Sequence, residues 1–135
     1  MPKVSMSTDL QASADDVWRM IGQFNALPDW HPAVESSELK KEGQERVLSL
    51  AGGGKIIERL EKLSENEREY SYSIKDSPLP VKNYNATIKV KDGKDGCTVE
   101  WSSDFEAVGG DTDAMKAIEG IYQSGLDNLR KMFGG

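Results

Sequence analysis

The chain has 135 residues, with 17 Lys plus Arg against 23 Asp plus Glu and a formal net charge of −6. That length fits one domain. The acidic balance, with no basic cluster longer than Lys40–Lys41, argues against a nucleic-acid partner and against attraction to an anionic membrane surface.

Cys97 and His31 are the sole residues of their types. They leave no intrachain disulfide, no multi-cysteine zinc set and no histidine pair, so neither a metal nor a cofactor is expected. No run approaches the roughly 20 apolar residues of a membrane span, so no membrane insertion is expected. The first residues lack the apolar core of a signal peptide. The expectation is a soluble, cytoplasmic protein, monomeric or weakly dimeric.

Val4, Met6, Thr8 and Leu10 alternate with polar residues, which predicts a first strand. Ser13 can cap a following helix, with Asp15 and Asp16 at its positive end and Val17, Met20, Ile21 and Phe24 along its apolar stripe. Pro28 and Pro32 bracket a connector that has room for a second short helix. From about Val34 to Val108 the period changes to two. Turn signals fall at Glu42–Gly43, Gly52–Gly54, Glu65–Asn66, Pro78–Pro80 and Asp92–Gly96. Six strands joined by short turns predict an antiparallel meander with one buried face.

A long helix closes the chain, with Asp111 or Thr112 as its candidate N-cap. Met115, Ile118, Tyr122, Gly125, Leu126, Leu129 and Phe133 share one face. Such a sheet must bury one side, and this helix is the only partner large enough. The fold class is therefore α+β.

The hairpin near Gly53 carries the most chemistry. A turn centred there sets Leu48 opposite Glu58 and Leu50 opposite Ile56. One inward face then holds Arg46, Leu48, Leu50, Ile56, Glu58 and Leu60. Arg46 and Glu58 lie diagonally across the two strands. A lone inward carboxylate is costly, and one paired with Arg is tolerable. Two readings stand: an ion pair at a cavity mouth or a Glu58 turned outward by a bulge, against a Glu58 that moves protons. Tyr72, Tyr84, Trp101 and Phe105 alternate inward on the strands, and Tyr122 faces them from the helix. They read as plain core or as the lining of a ligand cavity with a few polar anchors. Trp30 is expected to plug one end, with His31 partly exposed. Gly125 would either leave room for a ligand or allow close packing. Ala51-Gly-Gly-Gly-Lys55 joins two strands, so it reads as a flexible hairpin tip and not as a phosphate loop.

Ser13-Ala-Asp-Asp-Val-Trp18, Ile21-Gly-Gln-Phe24, Trp30-His-Pro32, Gly52–Gly54 running into Ile57-Glu-Arg-Leu60, Tyr70-Ser-Tyr-Ser-Ile74 and Leu79-Pro-Val-Lys-Asn-Tyr84 occur in this order. Together, over nearly the whole chain, they resemble the START-like superfamily. That group includes the birch-pollen allergen and the SRPBCC polyketide cyclase/dehydrase proteins. The resemblance implies a helix-grip fold: a curved seven-stranded antiparallel sheet around the C-terminal helix, two short helices after the first strand, and a cavity between sheet and helix. It implies a small apolar ligand of lipid, polyketide or aromatic type. Trp30, Leu48, Tyr72, Tyr84, Trp101, Phe105, Tyr122 and Leu126 are the candidate ligand contacts. It also implies that the Gly52–Gly54 and Ser77–Val81 loops flank the cavity opening. The alternative is a cyclase, dehydratase or isomerase using Glu58 as acid/base, with Arg46 or a Tyr stabilising charge. Here the chain is similar to the START-like isomerase lachrymatory factor synthase, whose catalytic Glu and Arg lie on neighbouring strands.

Overall fold

A computed structural model describes residues 2–134. Strand β1 (Lys3–Leu10) leads into helix α1 (Ala14–Ile21), a 3₁₀ turn (Phe24–Ala26) and the one-turn helix α2 (Leu27–Trp30). Six strands follow: β2 (Val34–Lys40), β3 (Glu45–Leu50), β4 (Lys55–Ser64), β5 (Glu69–Asp76), β6 (Val81–Asp92) and β7 (Cys97–Ala107). Helix α3 (Asp111–Phe133) ends the chain.

The strands form one antiparallel sheet in the order β1-β7-β6-β5-β4-β3-β2. The connection from β1 to β2 carries the small helices across the sheet, and the other strands follow as a meander. The helix-grip α+β architecture expected above is the one found. Alternation fixes the buried face: Tyr70 and Tyr72 on β5, Tyr84, Ala86, Ile88 and Val90 on β6, and Cys97, Val99, Trp101 and Phe105 on β7. Helix α3 answers with Ala114, Ile118, Tyr122, Gly125, Leu126 and Leu129.

Ser13 caps α1 as its side chain predicts, accepting from the Asp16 N–H at 3.2 Å. The α3 cap departs from expectation. Gly110 occupies the N-cap position and no side chain caps it. Asp111 and Asp113 lie inside the first turn, where their charge complements the helix dipole. Gly120, on the exposed side of α3, has open space where a Cβ would stand. Gly120→Ala is therefore expected to stabilise the fold by about 0.5–1 kcal/mol through helix propensity alone. Urea unfolding checks this, and a lower midpoint would contradict it.

Candidate functional site

The β3–β4 hairpin pairs Arg46 with Glu58 and Leu48 with Ile56. The turn is thus centred on Gly52, one residue earlier than expected, and Arg46 and Glu58 stand directly opposite instead of diagonally. Moving the centre by one residue shifts the pairing by two, so every side chain keeps its face. Gly52, Gly53 and Gly54 all adopt positive φ (86°, 104° and 97°), which lets the loop close around the Leu50 N–H bond to the Gly54 carbonyl. A bulge does occur between Ile57 and Glu58 in the β4–β5 pairing. Glu58 nevertheless remains inside, 5% exposed, with Arg46 at 1%.

Arg46 Nε and Nη2 reach Glu58 Oε1 at 2.8 and 2.6 Å. Its Nη1 donates to the Phe24 carbonyl, tying the 3₁₀ turn to the sheet. The guanidinium lies 4.1 Å from the Phe24 ring centroid and 5.3 Å from that of Tyr72, a desolvated cation–π setting. Burial pushes the Glu58 carboxyl above its ordinary value, and the Arg46 charge and hydrogen bond oppose that push. Burial disfavours the Arg46 cation, but the facing carboxylate holds it ionised. Both Arg46 donors converge on Oε1. Among the described residues no hydrogen bond reaches Oε2, and Glu58 borders an internal chamber.

That chamber has a volume of about 200 Å³. Leu48, Leu50, Ile56 and Glu58 come from the hairpin, Tyr72 and Ile74 from β5, and Tyr84 and Trp101 from β6 and β7. Leu27, His31 and Val34 line the α2 side, and Ile118 and Ile121 the α3 side. Ala51 and Leu79 bring both candidate loops to the same chamber. A Cβ on Gly54 would lie 3.8 Å from the Pro78 side chain, so the two loops flank one opening.

Of the candidate contacts, Leu48, Tyr72, Tyr84 and Trp101 line the chamber, together with Glu58. Trp30, Phe105, Tyr122 and Leu126 do not; they form the packed layer behind it. Tyr122 stacks on Trp101 at 4.3 Å between ring centroids, and Phe105 stacks on Tyr84 at 6.0 Å. Leu126 is buried in the same core. Trp30 packs 5.4 Å from Trp101, so its expected place as a plug is corrected to a place in the core. Gly125 takes the close-packing role: a Cβ there would meet His31 at 2.7 Å, Trp30 at 3.0 Å and Trp101 at 3.1 Å.

The hydroxyls are bonded in two pairs. Trp101 Nε1 donates to the Tyr72 hydroxyl at 3.0 Å, and the Tyr84 and Tyr122 hydroxyls bond to each other. An indole N–H cannot accept, so Tyr72 accepts there and keeps its own proton to give. Burial pushes all four tyrosines, Tyr70 included, above the ordinary phenol value. They are protonated donors at neutral pH.

His31 is a second correction, since it is buried and not partly exposed. The Ala33 N–H donates to Nδ1 at 3.2 Å, so the ring proton sits on Nε2 and is given to the Ile121 carbonyl at 2.7 Å. With Asn128 Nδ2 donating to the Trp30 carbonyl at 2.8 Å, this bolts α2 to α3. The signal for it in the sequence is slight: the α3 carbonyl that His31 needs lies 90 positions away. Burial holds the imidazole below its ordinary value of 6.5, and the unfolded chain therefore takes up the proton first. Stability from this group is complete above that value and is lost as pH falls through it. Melting temperature is expected to drop between about pH 7.5 and pH 5.5, and His31→Gln to flatten part of that slope. An unchanged slope in the variant would contradict the assignment.

Residues 1–134 match the family described as polyketide cyclase/dehydrase and lipid transport, and the chain belongs to that family. The protein XoxI from Bacillus cereus is 43% identical, with a TM-score of 0.96 over 98% of this chain and 96% of that one. A putative uncharacterized protein from Bacillus thuringiensis is 42% identical, with a TM-score of 0.95 over 98% of both chains. Norcoclaurine synthase from Thalictrum flavum, solved with dopamine and hydroxybenzaldehyde, shares the fold at 20% identity and a TM-score of 0.74, over 97% of this chain and 85% of that one. No curated protein matches. Among the described residues no helix is long and apolar enough to cross a membrane, and no cluster of three or more His, Cys, Asp or Glu is placed to hold a metal ion.

Proposed function

We propose that the protein binds a small, largely apolar ligand in the chamber between the sheet and α3. One observation carries this reading: a largely apolar chamber is bordered by a single carboxylate, Glu58, whose Oε2 has no protein hydrogen-bond donor among the described residues. Oε2 keeps a little exposure and faces the chamber without a protein partner, so a ligand hydroxyl can donate to it. Tyr72, which accepts from Trp101, has a hydroxyl proton to give on the same wall. The family description, which spans both cyclase/dehydrase and lipid transport, accommodates a carrier or an enzyme.

The enzyme reading has its own support. The Glu58 carboxyl is pushed upward by burial, toward the range where a carboxyl both accepts and returns a proton, and protonated phenols stand beside it to meet developing negative charge. Glu58→Gln distinguishes the two. As an anchor, its loss is expected to weaken binding by about 1 kcal/mol. As an acid/base, its loss is expected to leave binding nearly intact and lower turnover on the order of 10²-fold or more. Titration calorimetry and turnover measured on the same variant give the answer. No change in either would remove Glu58 from both roles.

A further inference from the structure

We infer that the ligand is an uncharged one- or two-ring compound carrying a hydroxyl, which it donates to Glu58 Oε2. This rests on the binding reading above and narrows it. The first argument is volume. The chamber offers about 200 Å³, below the roughly 300–1,000 Å³ of pockets that enclose drug-sized molecules. Filled to the density of an organic crystal, ~0.74, it takes a two-ring skeleton, whereas four fused rings or a long acyl chain would have to reach out through the opening.

The second argument is that the floor cannot recede. Trp101 is fixed on both sides, stacked on Tyr122 at 4.3 Å and hydrogen-bonded to Tyr72 at 3.0 Å. His31 is held to the Ile121 carbonyl at 2.7 Å. Gly125 already brings the α3 backbone so close to these rings that even a methyl group would collide with His31 at 2.7 Å. Deepening the chamber means breaking several of these contacts together.

The third argument is charge. Arg46, buried against Glu58 at 2.6 Å, already neutralises the carboxylate. A ligand cation would give up its hydration for a carboxylate that Arg46, outside the chamber lining, already neutralises, and a ligand anion would meet that carboxylate directly. A neutral hydroxyl completes the unmet oxygen without adding charge.

The test uses the intact protein with three probes, 2-naphthol, progesterone and palmitate, read by titration calorimetry and thermal shift. The expected result is that 2-naphthol binds, while progesterone and palmitate bind at least about tenfold more weakly, ~1.4 kcal/mol. Naphthalene, which lacks the hydroxyl, is expected to bind more weakly than 2-naphthol. Ile121→Trp, at the partly exposed α3 side of the chamber, is expected to abolish 2-naphthol binding while the protein stays folded by circular dichroism. Progesterone or palmitate binding as tightly as 2-naphthol would overturn the size limit and leave the binding reading standing. Naphthalene binding as tightly as 2-naphthol would overturn the hydroxyl. Undiminished 2-naphthol binding in folded Ile121→Trp would place the ligand elsewhere. Failure of every probe to bind would instead overturn the binding reading beneath.

Discussion

Arg46→Met is expected to lower the unfolding free energy by about 3–5 kcal/mol, the range for removing one partner of a buried ion pair. Met has similar bulk, so little of the loss comes from a cavity. Three contacts vanish together. Glu58 keeps its buried charge without a counter-ion, the Phe24 carbonyl loses its donor, and the Phe24 and Tyr72 rings lose the cation above them. The pH dependence carries the sign. Burial raises the folded-state value of Glu58 above the unfolded one, and without Arg46 nothing opposes that shift. The contribution of Glu58 to stability is then present at acid pH and lost as pH rises through the raised value. The variant should therefore be less impaired at pH 5 than at pH 8 (about three units apart). Arg46→Met/Glu58→Leu, which removes both charges, is expected to recover most of the loss, since apolar replacement of a buried pair is often neutral or better. Urea unfolding at two pH values reads all three outcomes. A single variant as stable as wild type would show that the pair is not desolvated.

Gly125→Val is expected to cost about 3 kcal/mol, the upper end for overpacking a well-filled core. Helix propensity acts the other way, favouring most residues over Gly by up to ~1 kcal/mol. Geometry decides which effect wins. The first added carbon would stand 2.7 Å from His31, 3.0 Å from Trp30 and 3.1 Å from Trp101. None of the three rings moves freely, because His31 bonds α3, Trp101 is held by Tyr72, and the Trp30 ring is buried against Trp101 at 5.4 Å between centroids. The variant is also expected to displace Trp101, which lines the chamber, so tryptophan fluorescence should shift along with the lowered urea midpoint. A midpoint equal to that of wild type would mean that the α3–sheet contact has slack.

Much of this was legible from alternation alone. Period two assigns a residue to a face, and a face survives a register error of two. For that reason Arg46 and Glu58 could be placed inward from a turn centre that was off by one residue. Their direct pairing was not legible, because it depends on how many residues the Gly52–Gly54 loop consumes. Depth was not legible either. Tyr72 and Tyr122 both face inward by periodicity, yet only Tyr72 borders the chamber, because Trp101 stacks over Tyr122. The burial of His31 is not legible for a related reason. A single polar residue between Trp30 and Pro32 looks exposed until a helix carbonyl from the far end of the chain arrives to accept its proton. Gly110 at the α3 N-cap shows the limit of local signals: Asp111 and Thr112 are better capping residues, but the chain turns one residue earlier.

The central claim is that a ligand enters the chamber beside Glu58, and methyl NMR tests it most directly. The methyls of Leu48, Ile56, Ile74, Ile118 and Ile121 ring the space, whereas Leu39, Leu63 and Val108 are exposed on the surface. Titration of isotope-labelled protein with 2-naphthol is predicted to shift the chamber methyls and leave the surface ones unmoved, with the shifts lost in Ile121→Trp. Shifts confined to the surface methyls, or none at saturating probe, would contradict the account.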